Sequence, residues 1–340
     1  MSTSVGRILL FGIGFLLSTP TALTAQEGTW AEGPPLPEDR TEVSVTTDGD
    51  RIFLAGGFGP PEVAGERASA PRALWVYDPE SGEWSSPTEL PHGVHHAGLA
   101  YLDGRIYLVG GFRETSFDPV GDVWIYDLEV DEWLEGEPIP TPRGAGALAV
   151  LHGRLHWIGG NAEEGDHLHD LAHGEVAEDG SVATHEVYDP VTNSWSRLAP
   201  MPTSRNHHGA TMLDGRLHVI GGRADGDFEL TAHEVYDPQS EEWQAAPDLP
   251  TGRSGIAVVS LDGWMYVFGG ETFAGPSRTF DEAERFHATS GEWETLPSMP
   301  TPRHGLGAAA VGGSIHVLSG GPGAGFTFSD LHEILEPPNP

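Results

Sequence analysis

The sequence predicts an all-β protein, a closed ring of six four-stranded modules. Glycine pairs recur at Gly56–Gly57, Gly110–Gly111, Gly159–Gly160, Gly221–Gly222 and Gly269–Gly270, with Ser319–Gly320 at the sixth place. Tryptophans recur at Trp30, Trp84, Trp133, Trp195, Trp243 and Trp293, and both series advance by the same steps of 54, 49, 62, 48 and 50 residues. An aromatic residue (Tyr77, Tyr126, Tyr188, Tyr236, Phe286) stands seven residues before each of the last five tryptophans. Two landmarks drifting together place the insertions at one point per unit. A period near 50 residues with four strand-like segments fits the blade of a six-bladed β-propeller and no helical repeat.

In chain order, residues 1–25 read as a secretory signal peptide: Arg7 is the only charge, Ile8 to Leu17 is an apolar run, and Thr24-Ala25 offers a cleavage point. Ten apolar residues are too few to span a bilayer as a helix. The expectation is therefore a secreted or periplasmic protein whose residues 26–340 form the propeller, with no membrane span in the mature chain. The absence of cysteine removes disulfides, thiol catalysis and thiolate metal sites. A formal charge of −34 with no lysine excludes nucleic acid and anionic membranes as partners for the surface as a whole. Such acidity suits either a saline habitat or a codon bias towards arginine.

Within a unit, the fifth copy shows the strands most clearly. Ile256 to Val259 is a continuous apolar run, Asp262–Gly263 is a tight-turn signal, and Met265 to Phe268 returns to the glycine pair. The third strand ends in Tyr-Asp-Pro, where Asp caps a turn and Pro stops the ladder, and the fourth carries the tryptophan. Trp30 has no three strands ahead of it, and the last unit stops after His332 to Pro337 without a tryptophan. The segment around Trp30 is thus expected to complete the sixth blade and close the ring.

The glycine pair, the aromatic–tryptophan spacing and a Pro-x-x-Arg lead-in to the first strand together resemble the Kelch repeat, over nearly all of residues 26–340. Departures are local: Phe286-His287-Ala288 replaces Tyr-Asp-Pro, Asp127-Leu128 replaces Asp-Pro, and Ser319 replaces a glycine. The resemblance implies a binding scaffold rather than an enzyme. Copper-radical oxidases share the fold but need a cysteine that this chain lacks. The alternative is a sugar mutarotase or epimerase resembling the periplasmic sialic-acid mutarotase, since ring opening needs only a placed acid and base.

Length variation and unusual chemistry gather on one face, that of the loops after the glycine pairs. Arg40, Arg143, Arg205, Arg253 and Arg303 lie sixteen residues before the pairs, with Val94 in the second unit. They are candidates for a ring of guanidinium forks holding carboxylates; the competing reading packs them between blades. On the first reading, replacing Arg143, Arg205 and Arg303 with alanine would weaken binding and spare stability.

His95, His96, His207, His208 and His304 complete the candidate ligand-binding mouth. His156, His218 and His316 stand where Phe53, Tyr107 and Tyr266 stand in other units, and His185, His233 and His332 also hold a frame position, so these six read as structural. No cofactor or metal is expected. The weak metal candidates are His95, His207 and His304, from alternate blades, and His169 with His173 in the long third loop, which equally reads as a solvated acidic insertion. The expected partner of this monomer is a protein, peptide or carbohydrate ligand.

Overall fold

Apolar runs bounded by Asp–Gly turns are the local reason the chain forms hairpins. In the fourth blade of this computed structural model, Gly209–Leu213 and Arg216–Ile220 pair across Asp214 and Gly215, both in the left-handed region that such a turn requires. His233–Asp237 and Glu242–Ala245 add the third and fourth strands. Asp237 then accepts the backbone N–H of Gln239, closing the turn before the outer strand. The structure describes residues 1, 28–162 and 179–338. Residues 2–25 of the expected signal peptide, and both His169 and His173, lie outside the described residues.

Six four-stranded antiparallel sheets form in this way, and no helix occurs among the described residues. The protein is a six-bladed propeller, as its repeats predict. Its apolar core lies between blades rather than within them. Phe53 and Leu74 of the first blade, for example, pack with Leu99, Ile106 and Tyr126 of the second. At the last interface Tyr77, Leu54 and Leu36 meet Ala309 and Leu318.

The ring closes where the spacing of Trp30 predicts. Thr29–Glu32 pairs antiparallel with His332–Glu336, giving the sixth blade its outer strand. Every outer-strand tryptophan uses its indole N–H in one way, reaching back to the preceding blade. Trp84 donates to Pro34 O, Trp133 to Thr88 Oγ1, Trp195 to Glu137 O, Trp243 to Ala199 O and Trp293 to Pro247 O. Trp30 donates to Pro297 O at 2.9 Å and sets its ring edge against Phe268. Replacing Trp30 with alanine is expected to cost about 3 kcal/mol, the range for truncating a packed indole. Urea unfolding checks this, and an unchanged midpoint would show that the strand does not lock the ring.

The glycine pairs end the second strands because another backbone lies too near for a side chain. A Cβ on Gly57, whose φ is +87°, would fall 2.4 Å from the carbonyl oxygen of Thr41. Beyond each pair the chain makes one more cross-strand contact. These are Thr41 with Phe58, His95 with Phe112, Gly144 with Asn161, Asn206 with Arg223, Ser254 with Glu271 and His304 with Gly321. Six equivalent bridges thus hold twelve residues around one mouth of the central channel.

Candidate binding site at the channel mouth

The residue two beyond the arginine position is left-handed in all six blades: Glu42, His96, Ala145, His207, Gly255 and Gly305. That conformation turns the peptide groups around the axis. Each N–H of His96, Ala145, His207, Gly255 and Gly305 donates to the carbonyl of the preceding member, and Val43 N–H closes the circle on Gly305 at 3.2 Å. The circle forms a floor, and below it the channel holds a cavity of about 260 Å³ lined by small and β-branched residues of the inner strands.

Above the floor lies a pocket of about 170 Å³ with Phe58, Phe117, Phe273 and Phe326 among its walls. They come from the loops of four blades. Its ionisable groups are Glu42, His96, His207, Arg223, Glu271 and His304. Arg223 is the hinge of this set: Nη1 lies 3.1 Å from Glu271 Oε1, Nη2 donates to His207 Nε2 and Nε donates to Asn206 Oδ1. Burial raises the Glu42 carboxyl to about 7, with Glu271 adding to the rise and His304 and Arg223 opposing it. Burial also pushes His96 and His207 well below the ordinary imidazole range. The pocket therefore presents apolar rings above and neutral imidazoles beside carboxyl groups beneath.

The five repeat arginines are not at this mouth. All five are fully buried, and each is spent within its own blade. Arg143 donates to the carbonyls of Thr141, Trp157 and Gly159 and pairs with Glu186 at 2.5 Å. Arg205 pairs with Glu234 at 2.7 Å, Arg253 with Glu284 at 2.6 Å and Arg303 with Glu333 at 2.9 Å. Arg40 pairs with Glu38. Burial lowers the pKa of each, with the partner carboxylate pulling the other way. The expectation of an arginine rim is corrected: five guanidiniums that are fully buried and paired with carboxylates of their own blades present no fork to a ligand at the mouth.

Among the histidines, His96, His207 and His304 line the pocket, whereas His95 and His208 do not. His95 lies beneath the wall, its ring 3.9 Å from that of Phe58, and is held near pKa 4 by burial. His208 points between blades, with Nε2 against Ile158 O and a pKa lowered to about 3 by burial. His304 and His207 both line the pocket, but the expected set of His95, His207 and His304 does not form: His207 groups with Glu42 and His96, His304 groups with Glu42 and Glu271, and His95 joins neither. Three residues not singled out from the sequence, Glu42, Arg223 and Glu271, supply the rest. Glu42 is the first blade's counterpart of His96, and Arg223 and Glu271 both follow a glycine pair, as Phe58 does.

Comparison with known proteins agrees with this architecture. The Kelch motif matches residues 40–91 and 94–139, and the KLHDC2/KLHL20/DRC7 Kelch-repeats domain matches residues 174–335. The Kelch-like protein terF of Aspergillus terreus is 28% identical over 237 residues, covering 67% of this chain and 49% of that protein. Kelch-like protein 40a of Danio rerio is 35% identical over 195 residues, covering 57% of this chain and 29% of that one. The chain thus spans half or less of these relatives' length. The solved structure of YjhT superposes with a TM-score of 0.74 at 17% identity, covering 88% of this chain and 95% of the other, a likeness of fold.

Proposed function

We propose that this six-bladed propeller of Kelch repeats is a secreted or periplasmic monomer that binds a peptide, protein segment or glycan in the aromatic-walled pocket. The observation that carries this reading is the convergence of four phenylalanines, from the loops of four blades, over a floor of charged and imidazole groups. Aromatic faces with a few fixed polar groups beneath are what a pocket needs to hold a sugar ring or an inserted side chain. The volume admits the tip of a ligand rather than a broad protein surface.

Phe117 and Phe273 are exposed, at 57% and 37%, so they can be removed without opening the core. Replacing both with alanine is expected to weaken the ligand by at least tenfold, as for central aromatic anchors, and to leave the melting temperature unchanged. Glycan and peptide arrays probed with wild type and the double variant make the test. Equal binding by both proteins would move the site elsewhere.

Sugar mutarotation is a second reading, favoured by a buried carboxyl, Glu42, facing the neutral imidazole of His96 at 3.2 Å. NMR of anomer exchange with sialic acid and common aldoses decides it; exchange no faster than in buffer removes it.

A further inference from the structure

The floor of the pocket contains more proton acceptors than donors, and the hydrogen bonds around it determine which atoms are bare. His304 Nδ1 lies 3.1 Å from the carbonyl oxygen of Gly321, so that nitrogen carries the proton and Nε2 presents a lone pair. Nε2 faces only carboxylate oxygens: Glu42 Oε1 at 3.5 Å and Glu271 Oε2 at 3.6 Å. His95 Nε2 lies 2.7 Å from Ser116 O and must donate there, which leaves its Nδ1 to accept from His96 Nδ1. The far nitrogen of His96 is then bare too, and it faces Glu42 Oε2 at 3.2 Å. Two imidazole lone pairs and two carboxylates, brought from blades one, two, five and six, point at one another.

We propose that Glu42, Glu271 and His304 Nε2 bind a divalent first-row transition-metal ion, with the open side of the site facing the pocket. Three features of the geometry support this. One ligand atom from each of the three residues lies within 4.8 Å of the others, close enough for one ion to reach all three. The separations of 3.5 and 3.6 Å are near the ligand-to-ligand edge, roughly 3.0–3.5 Å, of a site with metal–ligand bonds of about 2.1 Å. His304 donates its other nitrogen to a backbone carbonyl, and Glu271 is oriented by Gly325 N–H at 3.0 Å and by Arg223, the outer contacts that metal ligands carry. His304 is 1% exposed and Glu271 3%, so neither group is satisfied by bulk water. A nitrogen–carboxylate set without thiolate suits Zn²⁺, Co²⁺, Fe²⁺ or Mn²⁺.

A second grouping, Glu42 with His96 and His207, is geometrically close as well. It is the poorer site, because Arg223 Nη2 already donates to His207 Nε2 at 2.9 Å and so occupies the lone pair that the ion would need.

The test needs no knowledge of the pocket's ligand, so its failure and that of the binding reading are distinguishable. Protein made without a histidine tag and stripped with EDTA is titrated with Zn²⁺ and Co²⁺ by calorimetry, with Co²⁺ absorption recorded in parallel. One ion per chain is expected, with Co²⁺ bands of nitrogen–oxygen coordination. E271Q and H304Q should each weaken binding more than about tenfold, since even outer-contact losses cost that much. The double variant His169→Ala/His173→Ala should bind as wild type does.

No uptake would overturn the proposal. Uptake that survives E271Q and H304Q, or that vanishes with His169 and His173, would overturn it equally. Melting curves accompany each variant. If H304Q fails to fold, E271Q and the Co²⁺ spectrum still decide.

Discussion

Acidification from pH 8 to pH 5.5 is expected to remove about 8 kcal/mol of stability, comparable to all that a domain of this kind possesses. The cause is three internal imidazole pairs. His156 Nδ1 contacts His185 Nε2, His218 Nδ1 contacts His233 Nε2 and His316 Nδ1 contacts His332 Nε2, each at 2.8–2.9 Å. His233 and His332 donate their one N–H, at Nδ1, to the carbonyls of Pro247 and Pro34 and accept at Nε2 from the partner ring, so these neutral rings are already satisfied. Burial lowers His156, His233, His316 and His332 to about 4 and His185 and His218 to about 3.

An unfolded histidine titrates near 6.5. Below that value the unfolded chain binds protons that the folded chain refuses, so stability is complete above pH 6.5 and falls until the folded pKa values near 4 are reached. Each ring contributes about 1.4 kcal/mol at pH 5.5. Calorimetric melts between pH 8 and pH 5 should show a steep decline in melting temperature, with about five protons taken up on unfolding by these six rings and more by the other buried histidines lowered in the same way. A flat profile would contradict the neutral pairing. His316→Tyr, which installs the residue found at that frame position in Tyr107 and Tyr266, should reduce the slope.

The second large effect concerns Arg143. Replacing it with alanine is expected to cost about 3–5 kcal/mol, because Glu186, fully buried, loses its buried partner and keeps only the half-exposed Arg197, 3.2 Å from its other oxygen. The double variant Arg143→Ala/Glu186→Gln should recover only part, since the carbonyls of Thr141, Trp157 and Gly159 remain without their donor. Guanidinium denaturation of the two variants measures both quantities. A loss below 1 kcal/mol would restore the arginines as candidates for ligand contact. The structure thus reverses the expectation that removing Arg143, Arg205 and Arg303 spares stability.

The signal that would have prevented that misreading is present in the repeats. A glutamate stands two residues before the third-strand aromatic or its equivalent in the blades of Arg143, Arg205, Arg253 and Arg303, as Glu186, Glu234, Glu284 and Glu333. In the second blade both partners change together, to Val94 and Trp124. In the first, Trp75 takes the glutamate's place and Arg40 turns to Glu38 instead. Paired presence and paired loss within one chain identify a mutual contact.

The fold was legible because repetition averages out local ambiguity: five glycine pairs with Ser319–Gly320 as the sixth, and six tryptophans with Trp30 at the far end, require closure. The face was legible because length varied only there. The pocket was not, because Glu42, Glu271 and Phe326 belong to blades one, five and six, and only the closed ring brings them together. No spacing along the chain encodes that meeting.

The circle of backbone hydrogen bonds at the mouth is made by peptide groups, whatever side chains they bear. Its six members are Glu, His, Ala, His, Gly and Gly, and the circle closes through all of them. Selection acting on a lineage of such chains can therefore rewrite the chemistry of the mouth by single substitutions, without the architecture having to adapt. Proline and β-branched residues are barred by the left-handed backbone, and at Gly305 any side chain is, since a Cβ there would lie 2.7 Å from Glu42 N. Duplicated blades remain interchangeable as building blocks while diverging as donors of function.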